Sequence, residues 1–260
     1  MRPFQVATAS MSLIATLTLA AQEPSSRSTH DTRTPISIGN YPNVTGLRLN
    51  FRDSDLERVT GMNVTIWSPY EPATGVVKGV ALGLPVTGAG DIVGLGAGVF
   101  GVGAAHNLSG LMIGPIGAGA GGRVSGIAIG GIGVGAGGNL MGIIVGGVGV
   151  GAGGTLRGIG LGGVGVGAPR IEGGFVALAV GAQDARAIVI APAFFKIGKD
   201  GTFRGAAVSA VNYIKGSQSG LTIGLVNYAR NVSGVQIGLI NVIADQRGHP
   251  VLPIVNWGSR

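Results

Sequence analysis

The chain contains no cysteine among its 260 residues. This absence excludes disulfide bonds, thiolate metal sites, cysteine nucleophiles and lipid attachment through a lipoprotein-type cysteine. Charged residues are also scarce, at 11%, and aromatic residues make up 5%, whereas 45% of the sequence is hydrophobic. Intrinsic disorder requires high charge and low hydrophobicity. The composition therefore predicts a folded protein.

Glycine is the residue present in excess. It occupies 52 of the 260 positions, against a usual share of roughly 7%. The glycines do not recur at every third residue, and the chain has only 12 prolines. Collagen requires both features, so a collagen-like triple helix is excluded.

The N-terminus has the order of a cleavable secretory signal. Arg2 precedes a short apolar run from about Val6 to Ala20, and polar residues follow it. This order predicts a signal peptide over 1–21, cut after Ala20 or Ala21. A membrane anchor is the alternative, but the run is short for a span and contains Thr and Ser. We expect export to the periplasm, outer membrane or cell surface, with a polar linker over 22–42.

The formal net charge is +7. The distribution of this charge along the chain indicates which kinds of binding partner to expect. Residues 170–260 hold nine basic and four acidic residues, whereas 79–169 hold only Asp91, Arg123 and Arg157. A basic region favours an anionic surface such as lipopolysaccharide or nucleic acid. The basic residues are scattered, however, and are not interleaved with aromatic ones. We therefore expect no nucleic-acid partner.

An internal repeat dominates the centre of the chain and decides the fold. Five 16-residue blocks align without a gap: GDIVGLGAGVFGVGAA (90–105), HNLSGLMIGPIGAGAG (106–121), GRVSGIAIGGIGVGAG (122–137), GNLMGIIVGGVGVGAG (138–153) and GTLRGIGLGGVGVGAP (154–169). Positions 3, 6, 8, 11, 13 and 15 of the block are apolar in all five. Positions 5 and 9 are glycine in all five.

The spacing of the apolar positions predicts coils rather than straight strands. Steps of two keep side chains on one face of a strand, whereas a step of three moves them to the other face. A chain that turns a corner at each odd step keeps all six side chains inward. Glycine at positions 5 and 9 suits such corners, because it adopts positive φ readily. We therefore predict an all-β fold, a β-solenoid, with these six positions forming its core.

The prediction extends beyond the glycine-rich centre, 90–169. A 14-residue period begins at Gly220, and its apolar set is predicted to face inward: Leu221, Ile223, Val226, Tyr228 and Val232. Weaker copies give about thirteen coils of 14–16 residues. We assign the solenoid to 43–247 and a C-terminal cap to 248–260, where prolines cannot extend a hydrogen-bond ladder. Irregular intervals near 68–78 and 191–204 predict loops.

Two terminal segments resemble a known family. One is NVTGLRLNFRDSDLERVTGMNVTIW (43–67), and the other contains GLTIGLVNYARNVSGVQIGLINVIADQRGHPVLPIVNW, within 205–257. They resemble the opening and closing repeats of bacterial surface repeat-containing proteins first named from Leptospira, which carry GVQIGLxN repeats. The glycine-saturated centre departs from that form. The resemblance implies an exported, envelope-associated repeat protein, and it implies no catalytic residues.

Few residues are candidates for chemistry, and we predict no catalytic, cofactor-binding or metal-binding residue. The histidines His30, His106 and His249 are isolated, whereas a metal site needs several converging ligands. The stretch 131–138 matches GxGxxG, but no helical pattern follows, as a dinucleotide site requires. The segment KIGKDGTF (196–203) lacks the spacing of a phosphate loop.

One carboxylate cluster remains, formed by Asp53, Asp55 and Glu57 between Arg52 and Arg58. A calcium site or a polysaccharide-cleaving pair of carboxylates has this residue content. The simpler interpretation, which we prefer, is a solvated turn before the next strand.

The bare outer side of the repeat is the most informative functional feature. Positions 12 and 14 are glycine in all five blocks, so stacked coils would align them into a ribbon without side chains. Such a ribbon allows another backbone or a flat surface to approach closely. We therefore expect a non-enzymatic structural or adhesive element of the bacterial envelope. Its glycine-rich face would serve self-association or an envelope component. The alternatives are a membrane-embedded glycine-rich β-protein and a carbohydrate-active β-helix enzyme.

Overall fold

The computed structural model describes residues 35–70 and 72–258. The predicted signal peptide therefore lies outside the described residues. The described part is built from strands, which in chain order are β1 (Ile36–Ile38), β2 (Asn43–Asn50), β3 (Arg58–Thr65), β4 (Val76–Gly83), β5 (Val86–Gly98), β6 (Gly101–Gly114), β7 (Gly117–Ala120), β8 (Arg123–Gly130), β9 (Gly133–Ala136), β10 (Leu140–Gly146), β11 (Gly149–Ala152), β12 (Thr155–Gly162), β13 (Gly165–Val176), β14 (Ala179–Ile197), β15 (Thr202–Ile243) and β16 (Val251–Gly258).

These strands stack in parallel as a β-solenoid of about 11 turns. Equivalent residues of successive coils lie side by side, as in the pairing of Gly142 with Gly126 below and with Gly158 above. Only β16 pairs antiparallel among the described strands, against the end of β15. The predicted β-solenoid is confirmed, and the predicted number of coils is close to the observed one.

Each 16-residue block of the centre forms one coil with a long and a short strand. In block 138–153, β10 supplies the long strand and β11 the short one. The two are joined by a tight turn at Gly147 and Val148. Hydrogen bonds at the turn run from coil to coil, as from Val148 N–H to the carbonyl of Ile132 at 2.7 Å. The turn therefore stacks as regularly as the strands do.

The glycines at repeat positions 5 and 9 serve different physical purposes. At position 5 the backbone has positive φ, for example 119° at Gly142, and a Cβ would lie 2.0 Å from the carbonyl oxygen of Gly126. The predicted positive φ is therefore confirmed there, but the predicted corner is not, because β10 runs through Gly142 without a break. At position 9 the φ is not positive. The turn brings the chain so close that a Cβ on Gly146 would lie 2.0 Å from the Gly149 carbonyl oxygen.

The prediction that all six apolar positions face inward is wrong for half of them. In block 138–153 the buried side chains are Leu140, Ile144 and Val150, at positions 3, 7 and 13. Positions 6 and 11, in contrast, are 43% and 50% exposed at Ile143 and Val148. Position 8, which is half-buried Val145 in this block, lies on the same outer side of the strand as position 6. The physical reason is that strand alternation continues through the glycine at position 5, so position 7 rather than 6 faces inward.

The same correction applies to the C-terminal coils. Thr222 and Asn227 are fully buried there, whereas Ile223 is exposed and Leu221, Val226 and Tyr228 are half-buried. Of the predicted inward set, only Val232 is buried. The interior of the stack is therefore narrower and, at its ends, more polar than the apolar pattern predicted.

The narrow interior requires side chains of complementary size in neighbouring coils. A Cβ on Gly160 would lie 2.8 Å from the ring of Phe175, which stands directly above it in the stack. Gly96 leaves room in the same way for the sulfur of Met112. Small residues at position 7 therefore accommodate the large residue of the next coil.

The first and last described strands lie outside the range assigned to the solenoid, 43–247. Strand β1 lies within the range predicted as linker, 22–42, and pairs with β2. Strand β16 lies within the predicted cap, 248–260. A loop separates β3 from β4, as the interval near 68–78 predicted. The loop predicted over 191–204 is mostly strand, because β14 continues through a register shift between Ala191 and Phe194.

Candidate functional site: the outer apolar face

Two columns of apolar residues run along the outside of the stack at repeat positions 6 and 8. We name them the outer apolar face. The position 6 column contains Ile36, Leu47, Met62, Val80, Leu95, Leu111, Ile127, Ile143, Ile159, Gly174, Ile188, Ala206, Leu221, Val235 and Trp257. The position 8 column contains Ile38, Leu49, Val64, Leu82, Ala97, Ile113, Ile129, Val145, Leu161, Val176, Ile190, Val208, Ile223, Ile237 and Val255.

Apart from the indole N–H of Trp257 at the end of one column, neither column contains a charged or hydrogen-bonding side chain. The first and last strands continue both of them. Ile36 and Ile38 lie beside Leu47 and Leu49 at one end. At the other end Trp257, which is 61% exposed, lies beside Val235. Since even the terminal strands present apolar residues on this side, the feature belongs to the whole described stack rather than to the glycine-rich centre.

A third apolar column lies at the adjacent turn, repeat position 11. Its side chains are exposed, and each stands above its equivalent in the previous coil: Phe100, Ile116, Ile132, Val148 and Val164. The apolar surface therefore continues from the long strand across the turn toward the short strand.

The flank of the outer apolar face that lies away from this turn is polar and basic. Repeat position 4, just before the positive-φ glycine at position 5, holds Arg157, Glu172, Arg186 and Arg204 in successive coils. The Glu172 carboxylate accepts a hydrogen bond from Nε of Arg157 at 2.8 Å, and Nη2 of Arg157 lies 2.5 Å from the same oxygen in an ion pair. Arg186 and Arg204 are register neighbours, and both are exposed. Neither forms an ion pair or a side-chain hydrogen bond with another described residue.

The predicted glycine ribbon exists as an aligned feature on the short-strand side. Gly133 pairs with Gly149 and Gly135 with Gly151, and the same columns continue in the neighbouring coils. A Cβ on Gly103 would meet nothing within 4 Å, and one on Gly151 would lie 3.9 Å from the nearest atom. Position 14 therefore points outward with room above it, whereas position 12 is more crowded, since a Cβ on Gly117 would lie 3.0 Å from the carbonyl oxygen of Gly133.

The carboxylates at 53–57 do not form a joint site. Asp53 is buried and accepts hydrogen bonds from Arg48, Asn50, Asn63 and Thr65, the last at 2.5 Å. Asp55 and Glu57 are exposed. The expectation of a solvated turn is therefore wrong for Asp53, because its two oxygens satisfy polar groups inside the first coils.

Arg48 is the partner that fixes Asp53 in the core. It is fully buried, and besides Asp53 its guanidinium donates to the carbonyl of Tyr41 at 2.9 Å and to Asn63 at 2.8 Å. A pocket of about 200 Å³ lies over Asp53, Asp55 and Tyr70. Since the Asp53 carboxylate is already committed to this network, the pocket contains no free pair of carboxylates.

The remaining candidates lie apart from one another in the described residues. His106 is 69% exposed, and its Nδ1 is 3.8 Å from Asp91. His249 is exposed as well, and His30 lies outside the described residues. The described part of the chain holds no group of three metal-ligating side chains. The GxGxxG stretch 131–138 leads from β9 into β10 rather than into a helix, and 196–203 forms the turn between β14 and β15.

Sequence reasoning missed a buried asparagine ladder in the C-terminal coils. Asn212 donates to Asn227 at 2.7 Å, and Asn227 donates to Asn241 at 2.7 Å. All three are fully buried. Their separations of 15 and 14 residues were visible in the sequence. The apolar pattern directed attention to their neighbours instead, which point outward.

Over residues 35–70 and 72–258, no helix has the length and hydrophobicity needed to cross a bilayer. Comparison with known proteins found no matching family model, no matching curated protein and no matching solved structure. The resemblance of the terminal repeats to the Leptospira-type surface proteins therefore stays a prediction.

Proposed function

We propose that the chain is an exported, non-enzymatic repeat protein that serves as a structural or adhesive element of the bacterial cell envelope. The observation that carries this proposal is the outer apolar face. It runs without interruption from β1 to β16, and exposed apolar surface of that extent is typical of a contact site. A solenoid presents such a surface over many equivalent coils.

The face is large compared with the apolar patches of ordinary soluble monomers. Each column holds fifteen residues, from β1 to β16, and a strand spacing of roughly 4.8 Å gives it a length of roughly 67 Å. Two columns of side chains cover a width of roughly 10 Å, so they present about 670 Å² before the column at position 11 is added. The largest apolar patch on a typical monomer is about 300–600 Å². An apolar surface of this size is therefore better explained if a partner covers it than if it faces water.

The test is the location and N-terminus of the protein in its own cell. We expect a C-terminally tagged chain to fractionate with the envelope and to lack residues 1–20 or 1–21 by mass spectrometry. The matched control is the same chain expressed without residues 2–21, which should remain in the cytoplasm. An intact N-terminus on a cytoplasmic protein would contradict the proposal.

A further inference from the structure

We propose that the outer apolar face lies on an anionic lipid surface, with Arg186 and Arg204 contacting lipid phosphates. The inference rests on the proposed envelope role, which brings the chain to a membrane. It specifies the partner by its chemistry, as an acyl layer bordered by negative headgroups.

The composition of the face favours lipid over protein as the occupant. Protein interfaces carry about one hydrogen bond per 100–200 Å² and are enriched in Tyr, Trp and Arg. The two columns consist of Ile, Val, Leu, Ala, Met and Gly, with Trp257 at the end, and none of these side chains but Trp257 contains a polar hydrogen-bonding group. An acyl layer requires no hydrogen bonds from the surface that contacts it.

The backbone of the face meets the requirement that lipid imposes. Peptide N–H and C=O groups placed against hydrocarbon must be hydrogen-bonded within the protein. The strands of the face are hydrogen-bonded to neighbours, as β10 is to β8 and β12 on its two sides and the end of β15 is to β16. The face therefore exposes side chains rather than unpaired backbone.

The charge of the flank complements anionic headgroups. Arg186 and Arg204 are directly opposite each other in adjacent strands, a placement in which like charges repel. They border a shallow depression that includes Ile188, which is 65% exposed. An interfacial element of this kind combines an apolar surface with Lys or Arg beside it.

A second copy of the chain fits the flank less well. The nearest acidic residue in that column, Glu172, is already bound by Arg157. Two copies docked face to face would therefore offer these two arginines no free carboxylate from the same column. Lipid phosphates supply the missing negative charge.

The experiment is flotation of the purified full chain with vesicles in 100 mM NaCl. One set of vesicles contains phosphatidylcholine and phosphatidylglycerol at 4:1, and the other contains phosphatidylcholine alone. We expect the chain to float with the anionic vesicles. The variant I127N/I143N/I159N should bind at least about a hundredfold more weakly, because three apolar side chains no longer enter the acyl layer.

Two further variants separate the contribution of the two arginines to vesicle binding from that of the apolar side chains. R186Q/R204Q should bind anionic vesicles about thirtyfold more weakly, since each cation near such a surface contributes about a factor of five, and should bind neutral vesicles as before. The matched control G103N/G135N/G151N places the same residue type on the glycine ribbon, where there is room, and should float like the parent. Circular dichroism establishes that each variant is folded.

The inference is overturned if the parent chain does not float, or if folded I127N/I143N/I159N floats as well as the parent. It is also overturned if the parent is a lipid-free dimer that this variant dissociates and that does not bind vesicles. In that case a second copy covers the face. An envelope-located chain without vesicle binding would overturn only the lipid contact, whereas vesicle binding by a chain that stays cytoplasmic would overturn only the proposed function.

Discussion

At the N-terminal end of the stack, Asp53 shows how a single residue decides whether a polar core is stable. Its two carboxylate oxygens accept hydrogen bonds from four side chains, and Arg48 beside it has no contact with solvent. Removing one partner of a buried ion pair leaves the other charge uncompensated in the core. The pair is therefore structural in this position, whereas a catalytic carboxylate would have an oxygen free for substrate.

We expect Asp53→Asn to lower the free energy of unfolding by about 3–5 kcal/mol, since the Arg48 charge stays buried without its counter-ion. The matched control is Asp55→Asn. Asp55 is exposed and has a φ of 52°, a conformation that Asn tolerates, so the change should stay within about 0.5 kcal/mol. Guanidinium denaturation of the two variants measures both values, and equal stability would contradict the structural role.

At the scale of the element, the coils differ in what fills the interior. Position 7 holds Ile144 in the centre, and its equivalents are Arg48 near the start and Gln236 near the end, all of them fully buried. The terminal coils replace apolar packing by hydrogen bonds that run from coil to coil. The asparagine ladder is the clearest case, because each rung bonds to the equivalent residue of the next coil. In a low-dielectric interior, hydrogen bonds in such a chain polarise and strengthen one another.

Asn227→Ala removes the middle rung of this ladder. The amide of Asn212 and the carbonyl of the Asn241 side chain would each lose a partner in the core. We expect a loss of about 2–3 kcal/mol in the free energy of unfolding. Asn231→Ala serves as the control, because half-buried Asn231 makes no side-chain hydrogen bond with another described residue, and it should change stability by less than about 0.5 kcal/mol. A ladder variant as stable as this control would show that the rungs contribute nothing.

The sequence was sufficient for the architecture but not for the direction of its side chains. A 16-residue repeat with glycine at position 5 predicted coils, and Gly142 indeed has positive φ. The inward set could not be derived from hydrophobicity, because apolar residues occupy both sides of the long strand. Ile143 and Ile144 are neighbours of equal hydrophobicity, yet only Ile144 is buried. An apolar residue marks the core only when the outer surface is polar.

At the scale of the whole molecule, the strands of each central coil pair with those of the coils before and after it. Strand β8 pairs with β10, and β10 pairs with β12, with glycine aligned on glycine in both pairings. In a stack of this kind the stability is a sum of the coils and their interfaces. One coil can therefore be removed without changing the path of the others.

Deleting residues 138–153 removes one whole coil and should leave a folded but less stable protein. The strands β8 and β12 would then pair directly, with Gly126 beside Gly158. Deleting only 138–145 should be much worse, since it removes most of β10 and shifts the following core residues out of register. Circular dichroism with thermal unfolding compares the two deletions. A cooperative half-coil deletion together with a collapsed whole-coil deletion would reject the solenoid.

The most direct test of the account is the stability of Val148→Lys against that of Val150→Lys. Both residues belong to the same coil and have the same side chain, but Val148 is 50% exposed and Val150 only 4%. A lysine at 148 enters solvent beside the outer apolar face, and the thermal unfolding midpoint should remain near that of the parent. A lysine at 150 places an unpaired charge in the narrow core and should prevent stable folding. If Val148→Lys unfolds the protein while Val150→Lys is tolerated, position 11 rather than position 13 lines the interior, and the assignment of inside and outside in the coil is wrong.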